Sequence, residues 1–303
     1  MKLNIRHETR YEYAGTVSHS VNQLNVIPRS TTTQQILNNT LRVDPTPAKI
    51  YSWQDSFGNT QSHFSIEESH GQCVIESVSL VETTTTAPIE LPVDKNLLQL
   101  KNTLATDFSD DGLLASKCLL PTQHVRRLTG SQSIVTQLSK ECDSVTAFAE
   151  KLMAWIFTEF EYDPSFSSVV TSGQKAWDAK RGVCQDFAHI ALAVLREAGI
   201  PARYVSGYLE TLPPPGEKKL QGSDASHAWF SVYSPGDGWF DFDPTNNKRP
   251  DQQYVTTAWG RDYADVAPLK GIVYGGGSQS VTVSVDVNRV DGALYVIAED
   301  DHQ

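Results

Sequence analysis

Three residues of this 303-residue chain have the types and spacing of a thiol acyl-transfer site: Cys184, His227 and Asp243. Cys184 follows Arg181-Gly182-Val183 and opens the run Gln185-Asp186-Phe187-Ala188-His189. A glycine-containing turn that enters a helix puts the sulfur near the helix N-terminus. Unsatisfied N–H groups and the positive dipole end there favour thiolate over thiol. The same N–H groups suit an oxyanion on an attacked carbonyl. The competing reading is a small core residue, because Cys184 also falls near the apolar side of Phe187 and Ala191. His227 opens a strand-like run to Tyr233, Ser234-Pro235-Gly236-Asp237-Gly238 makes a turn, and Trp239 to Asp243 returns. An antiparallel hairpin centred on Pro235 sets His227 opposite Asp243, with Cβ atoms ~4.5–5.5 Å apart. A buried carboxylate there fixes the imidazole tautomer and stabilises the imidazolium. Asp241 shares the parity, is expected opposite Trp229, and is the reserve candidate. The competing reading is a polar pair at a hairpin's open end.

The elements that must carry these residues are legible. A helix starts after Asp143 or Ser144, either of which can cap it, with Val145, Phe148, Ala149, Leu152, Met153, Ile156 and Phe160 at helical spacing. Asp163-Pro164 is expected to end it. A second helix follows Gly182 with the stripe Phe187, Ile190, Ala191, Val194, Leu195 and Ala198. Gly199 and Pro201 stop it. Strand-like runs follow at Ala202–Glu210, His227–Tyr233 and Trp239–Phe242. The proline-rich stretch from Leu212 to Asp224 between them reads as an exposed, mobile loop. Residues 1–85 read as an antiparallel β domain. Lys2 to Tyr13 alternates, and further runs at Val21–Val26, Thr40–Val43, His63–Ile66 and Val74–Val81 are separated by turn chemistry. Residues 86–140 read as a helical or irregular connecting segment, 141–270 as the catalytic core, and 271–303 as a C-terminal strand region in which Val281 to Val287 alternates. The expected fold class is therefore α+β.

At this point a family resemblance becomes specific. A cysteine on a helix, then a histidine and an aspartate on strands, is the layout of papain-like and transglutaminase-like enzymes. Arg181-Gly182-Val183-Cys184-Gln185-Asp186-Phe187-Ala188-His189 and Leu195 to Tyr208 look like the core of bacterial transglutaminase-like proteins. His227-Ala228-Trp229 and Asp243-Pro244-Thr245 look like that family's other two blocks. Phe160-Glu161-Tyr162 and Asp55-Ser56-Phe57-Gly58-Asn59 resemble it too. The match runs along most of the chain and is weakest from about residue 90 to 140. The resemblance implies an N-terminal β domain before a cysteine helix packed on an antiparallel sheet. It also implies Cys184 as nucleophile, His227 as base and acid, and Asp243 as orienting carboxylate, acting on a peptide or protein substrate. Hydrolysis is the expected outcome, with transamidation and a non-catalytic binding module as alternatives. Trp229 and Trp239 are candidates to exclude water or donate an indole N–H to an oxyanion, against a plain role as core aromatics. His189 is a candidate for a local contact, and Arg203 and Tyr204 are either structural or substrate-facing.

Composition agrees with this and excludes much else. Hydrophobic residues make up 39% and charged residues 20%, a globular balance. The net charge of −11 repels phosphate backbones, so a nucleic-acid partner is not expected. No run reaches the ~18 apolar residues that span a bilayer, and the N-terminus has no signal-peptide core, so a cytoplasmic protein without a membrane partner is expected. Cys73, Cys118, Cys142 and Cys184 lie far apart, which argues for free thiols over a disulfide framework. A metal site from Cys184, Asp186 and His189 has no recognised ligand spacing. No phosphate-binding glycine loop is present, and the chemistry calls for no cofactor.

Overall fold

The structure, a computed structural model, describes residues 1–84, 91, 97–166, 172–211 and 226–290. The N-terminal part holds β1 (Lys2–Leu24), β2 (Gln34–Asp44), β3 (Tyr51–Gln54), β4 (Thr60–Ile66) and β5 (His70–Thr83). They are ordered β2-β5-β1-β4-β3. Period-two alternation buries Leu3, Ile5, His7 and Thr9 on one side of β1. The two strands expected at 2–13 and 21–26 are one. The register of β1 breaks between Glu12 and Val17, so its first half pairs with β5 and its second half with β4. Leu24, Val43, Phe64, Ile66, Cys73 and Ile75 are part of the core so enclosed.

Helices α1 (Leu97–Thr106), α2 (Asp110–Lys117), α3 (Gln132–Glu141) and α4 (Val145–Glu159) follow. Ser144 caps α4, its hydroxyl accepting the Ala147 N–H at 3.1 Å. The helix ends at Glu159, before the expected Asp163-Pro164. There the chain turns out to form β6 (Glu161–Tyr162), which after α5 (Gly173–Ala179) pairs in parallel with β7 (Arg181–Gly182). Then come α6 (Cys184–Glu197), β8 (Ala202–Leu209), β9 (Ser226–Ser234), β10 (Gly238–Phe242) and β11 (Tyr254–Gly260). These four strands form an antiparallel sheet in the order β10-β9-β8-β11. The apolar stripe of α6 packs on it, burying Phe187, Ile190, Ala191, Val194 and Leu195 against residues such as Tyr204, Phe230 and Val232. Full burial of a large side chain stabilises by about 1.5–3 kcal/mol, so this face fixes where the N-terminus of α6 points. Ile134, Val135 and Leu138 of α3 join the same core. The stretch expected to be a loop from Leu212 to Asp224 lies outside the described residues.

After α7 (Tyr263–Val266) the chain returns to the N-terminal sheet. Strands β12 (Leu269–Gly275) and β13 (Gln279–Arg289) pair with the second and first halves of β1. The expected boundary at residue 270 therefore falls inside β12. The N-terminal sheet also grips β11, the edge of the four-stranded sheet, through two side-chain amides. Gln34 accepts the Thr256 N–H at 2.8 Å and donates to the Thr256 carbonyl at 2.9 Å. Asn59 does the same to Trp259, accepting at 2.9 Å and donating at 2.8 Å. Arg29 stacks on the Trp259 ring beside them. Among the described residues no helix is long and apolar enough to cross a membrane.

Candidate active site

Cys184 is the first residue of α6. A Cβ at residue 182 would lie 2.8 Å from both Cβ and Oδ2 of Asp186. Because residue 182 is glycine, Asp186 reaches back and accepts the Val183 N–H at 2.9 Å. That bond caps the helix and holds Cys184 in its first turn, at the positive end of the dipole. Cys184 is partly exposed, whereas Cys73, Cys118 and Cys142 are buried, and all four are free thiols. Burial pushes the Cys73 and Cys118 thiols up to about 11 and that of Cys142 upward.

His227 stands between Asp243 and Cys184, and both act on its charge. Its Nε2 lies 2.8 Å from Asp243 Oδ2, and it also bonds the Cys184 side chain. The Asp243 side chain is fully buried and that of His227 is 10% exposed. Burial alone would lower the His227 pKa. The hydrogen bonds to Asp243 and Cys184, and the charges behind them, outweigh it and push the imidazole up to about 10. Burial would raise Asp243, but its donors, His227 foremost, hold it below the ordinary carboxylate range. Three donors converge on Oδ2: His227, the Tyr254 hydroxyl at 2.7 Å and Asn246 Nδ2 at 2.7 Å. Oδ1 accepts the N–H groups of Thr245 at 2.8 Å and Asn246 at 3.3 Å. A thiol, an imidazole held as imidazolium and a buried carboxylate in one hydrogen-bonded chain is an arrangement able to form a thiolate and return a proton to a leaving group.

The hairpin register differs from the one expected. Trp239 pairs with Tyr233 and Asp241 with Ser231, not with Trp229. The turn is the three residues Pro235–Asp237, closed by the Asp237 N–H donating to the Ser234 carbonyl, so the pairing is displaced by two. A displacement of two preserves the face on which each side chain lies. His227 therefore meets Asp243 on the diagonal and not directly opposite. Asp243 has left the ladder, which ends at Phe242, and bridges Lys248. Asp241 meets Trp229 on the same diagonal and accepts its indole N–H at 3.2 Å.

That bond commits the Trp229 N–H, so Trp229 is a fully buried packing residue beside the His227 ring, 6.1 Å between centroids. Trp239 does not flank the site. Its partner Tyr233 is six residues along β9 from His227, roughly 20 Å at strand rise. There its ring packs against Tyr233 and under the Arg203 guanidinium, which also covers Trp259. Arg203 and Tyr204 are both buried. His189 stacks on His124 and lies 5.0 Å from the Tyr204 ring, and its Nε2 accepts the Tyr263 N–H at 3.2 Å. Burial, then His124, pulls its pKa down to about 3, so it stays neutral and ties α6 to α7. His189 and Asp186 are thus turned to different backbone partners.

Comparison with known proteins agrees with this architecture. Residues 132–244 match the model of the transglutaminase-like superfamily, and residues 3–82 that of the bacterial transglutaminase-like N-terminal region. An uncharacterized protein of Mycobacterium tuberculosis is 34% identical over 304 residues, covering 96% of this chain and 94% of the relative. The chain belongs to the bacterial transglutaminase-like family. Within it, an uncharacterized Mycobacterium leprae protein is 33% identical over 293 residues, covering 95% of this chain and 99% of its own. A shorter match is to a protein-glutamine gamma-glutamyltransferase of Pseudomonas aeruginosa, 31% identical over 151 residues, or 46% of this chain and 23% of that one. The fold is shared with the crystal structure of a candidate cysteine protease from Cytophaga hutchinsonii, with TM-score 0.71 and 24% identity, covering 97% of this chain and 92% of that one.

Two residues of this site escape the sequence reading: Tyr254 and Asn246. Asn246 has a local signal, because Asp-Pro-Thr-Asn is the composition of an Asx turn, and the Thr245 N–H does bond Asp243 Oδ1. Tyr254 opens β11, a strand recognisable afterwards from the β-formers Tyr254-Val255-Thr256-Thr257. Nothing local links it to Asp243.

Proposed function

We propose that this protein is a thiol acyl-transfer enzyme that hydrolyses peptide or carboxamide bonds, with Cys184 as nucleophile, His227 as base and acid, and Asp243 as the orienting carboxylate. The observation that carries this reading is the hydrogen-bonded chain from Cys184 through His227 to buried Asp243. The Cys184 thiolate attacks the carbonyl carbon, and first-turn N–H groups of α6 face the developing oxyanion. The imidazolium gives its proton to the departing amine, leaving a thioester on Cys184. Water, deprotonated by His227, then releases the acid and restores the thiol. Water as acceptor asks for nothing beyond these three groups, which is why hydrolysis is preferred. Transamidation is the second reading, and the Pseudomonas aeruginosa relative favours it. A purely binding role is less well supported, because a scaffold has no use for a buried imidazolium–carboxylate pair beside an accessible thiol. Four free thiols support a reducing compartment, the cytoplasm.

The test is incubation of the full chain with an unstructured protein, with and without a primary amine. Free acid or new termini are expected in both cases, lost in Cys184→Ala and after alkylation. Iodoacetamide should label Cys184 before the three buried thiols. Amine adducts as the main product would move the assignment to transamidation. Activity that survives Cys184→Ala would end the thiol reading altogether.

A further inference from the structure

The hydrogen-bonded chain does not stop at Asp243. Tyr254 is 5% exposed, stands at the start of β11, and donates to the same Asp243 oxygen as His227. Its ring is fixed on several sides. It meets Trp229 edge-on at 5.4 Å and 85°, lies 6.0 Å from the His227 ring, and is covered by the Lys248 ammonium at 5.2 Å. Two residues further along β11, Gln34 of the N-terminal sheet holds both backbone groups of Thr256. The hydroxyl is therefore delivered to Asp243 by a strand that is itself anchored. Burial and the Asp243 charge raise the phenol pKa far out of reach, so it acts only as a donor.

Resting on the acyl-transfer reading, we propose that Tyr254 is a positioning residue: by donating to Oδ2 it keeps Asp243 ionised and aimed at His227. A hydrogen bond to the charged form of a carboxylate favours that form. Three donors on one oxygen also remove the freedom to rotate that a singly held carboxylate keeps. Without the phenol, Asp243 takes up a proton at higher pH, and the imidazolium loses the charge that supports it. The Cys184 thiolate then loses its counter-ion in turn. The titratable or charged groups around this pair are Cys184 from α6, His227 from β9, and Lys248 and Asp251 from the turn before β11. The last two are paired with each other at 3.1 Å.

The experiment is the rate of Cys184 alkylation by iodoacetamide on the full chain, mapped by mass spectrometry from about pH 4 to about pH 9. In Tyr254→Phe the acid limb should move up by about one pH unit, about fivefold slower labelling at the wild-type midpoint. Labelling near pH 8 should stay within about twofold of wild type, where Asp243 is ionised in both. A role in packing alone would lower the melting temperature without moving the limb. Superimposable profiles for Tyr254→Phe and wild type overturn the proposal. Should Tyr254→Phe not fold, Asn246→Ala removes a donor from the same oxygen with an exposed side chain, and an unmoved limb there overturns it equally. A His227→Ala control separates the two levels. If it leaves Cys184 labelling unchanged, the acyl-transfer reading fails, whatever Tyr254 does.

Discussion

His227 sits under opposing influences, and the balance sets the pH range in which the site exists. Burial disfavours its charge, while Asp243 and Cys184 favour it strongly enough to raise its pKa to about 10. The stability this adds is fully present below the unfolded histidine pKa of about 6.5 and is lost as pH rises through about 10. The share from Asp243 has the opposite sign: its pKa is depressed, so its contribution is present above about 3.9 and lost as pH falls below that. Neutral pH lies inside both limits. Asp243→Asn keeps the shape and removes the charge. We expect a turnover loss of about 10²–10³, smaller than the ~10⁴ known for the equivalent change in a serine protease, because a Cys–His pair can already be charged. Asp241→Asn should keep most activity, since an amide oxygen can still accept from Trp229. Turnover of both variants, with circular dichroism to establish folding, checks this. A normal rate in folded Asp243→Asn would remove Asp243 from the mechanism. At this scale the sequence was most informative where a residue's neighbours in the chain create its environment. Gly182 and Asp186 make the setting of Cys184. Tyr254 was illegible because it reaches Asp243 from a different strand.

The hairpin of β9 and β10 shows how an element can be read wrongly and still deliver the right pair. Its turn has three residues, so the register differs by two from a turn centred on Pro235. Diagonal neighbours are about 7–8 Å apart between backbones, within reach of long side chains. An imidazole and a carboxylate close that gap to 2.8 Å. Parity was legible from alternation, and the exact pairing was not, because turn length changes the register without changing the pattern. The end of α4 was misplaced for a related reason. Helical periodicity continues to Phe160, but the pairing of β6 with β7 takes the chain away first. On the other side of β9, Gly207 pairs with His227. A Cβ there would lie 2.1 Å from the Val255 carbonyl and 2.6 Å from the Trp229 ring. Gly207→Ala must therefore push β11 or Trp229 away. We expect a stability loss of about 3 kcal/mol, the upper range for overpacking, together with lower turnover, because the two strands carry His227 and Tyr254. Urea denaturation beside the turnover assay measures both. Unchanged stability would mean that the sheet absorbs the methyl freely.

Across the whole molecule, the N-terminal sheet and the four-stranded sheet are joined at β11. The join uses Gln34 and Asn59 as substitutes for a neighbouring strand. Replacing Asn59 with Ala leaves the Trp259 N–H and carbonyl unpartnered, and replacing Gln34 leaves the Thr256 N–H unpartnered while its carbonyl keeps the Arg29 N–H, at about 1–3 kcal/mol per orphaned group. Differential scanning calorimetry of Gln34→Ala and Asn59→Ala should show lower melting temperatures. Values equal to wild type would show that water replaces the amides without loss. The β character of residues 1–85 was plain in their alternation, as was that of Val281 to Val287. That β12 and β13 complete the first sheet was not, since pairing between residues some 270 positions apart leaves no local mark. Side-chain coverage of β11 bears on how the core of this chain can exist alone. An uncovered edge strand is a template for strands of other chains. A core separated from its first 84 residues would expose β11 and, with it, a route to self-association into extended sheets. The amides of Gln34 and Asn59, with the Arg29 N–H, occupy the backbone groups of Thr256 and Trp259 on that edge, so they end the sheet as well as hold it.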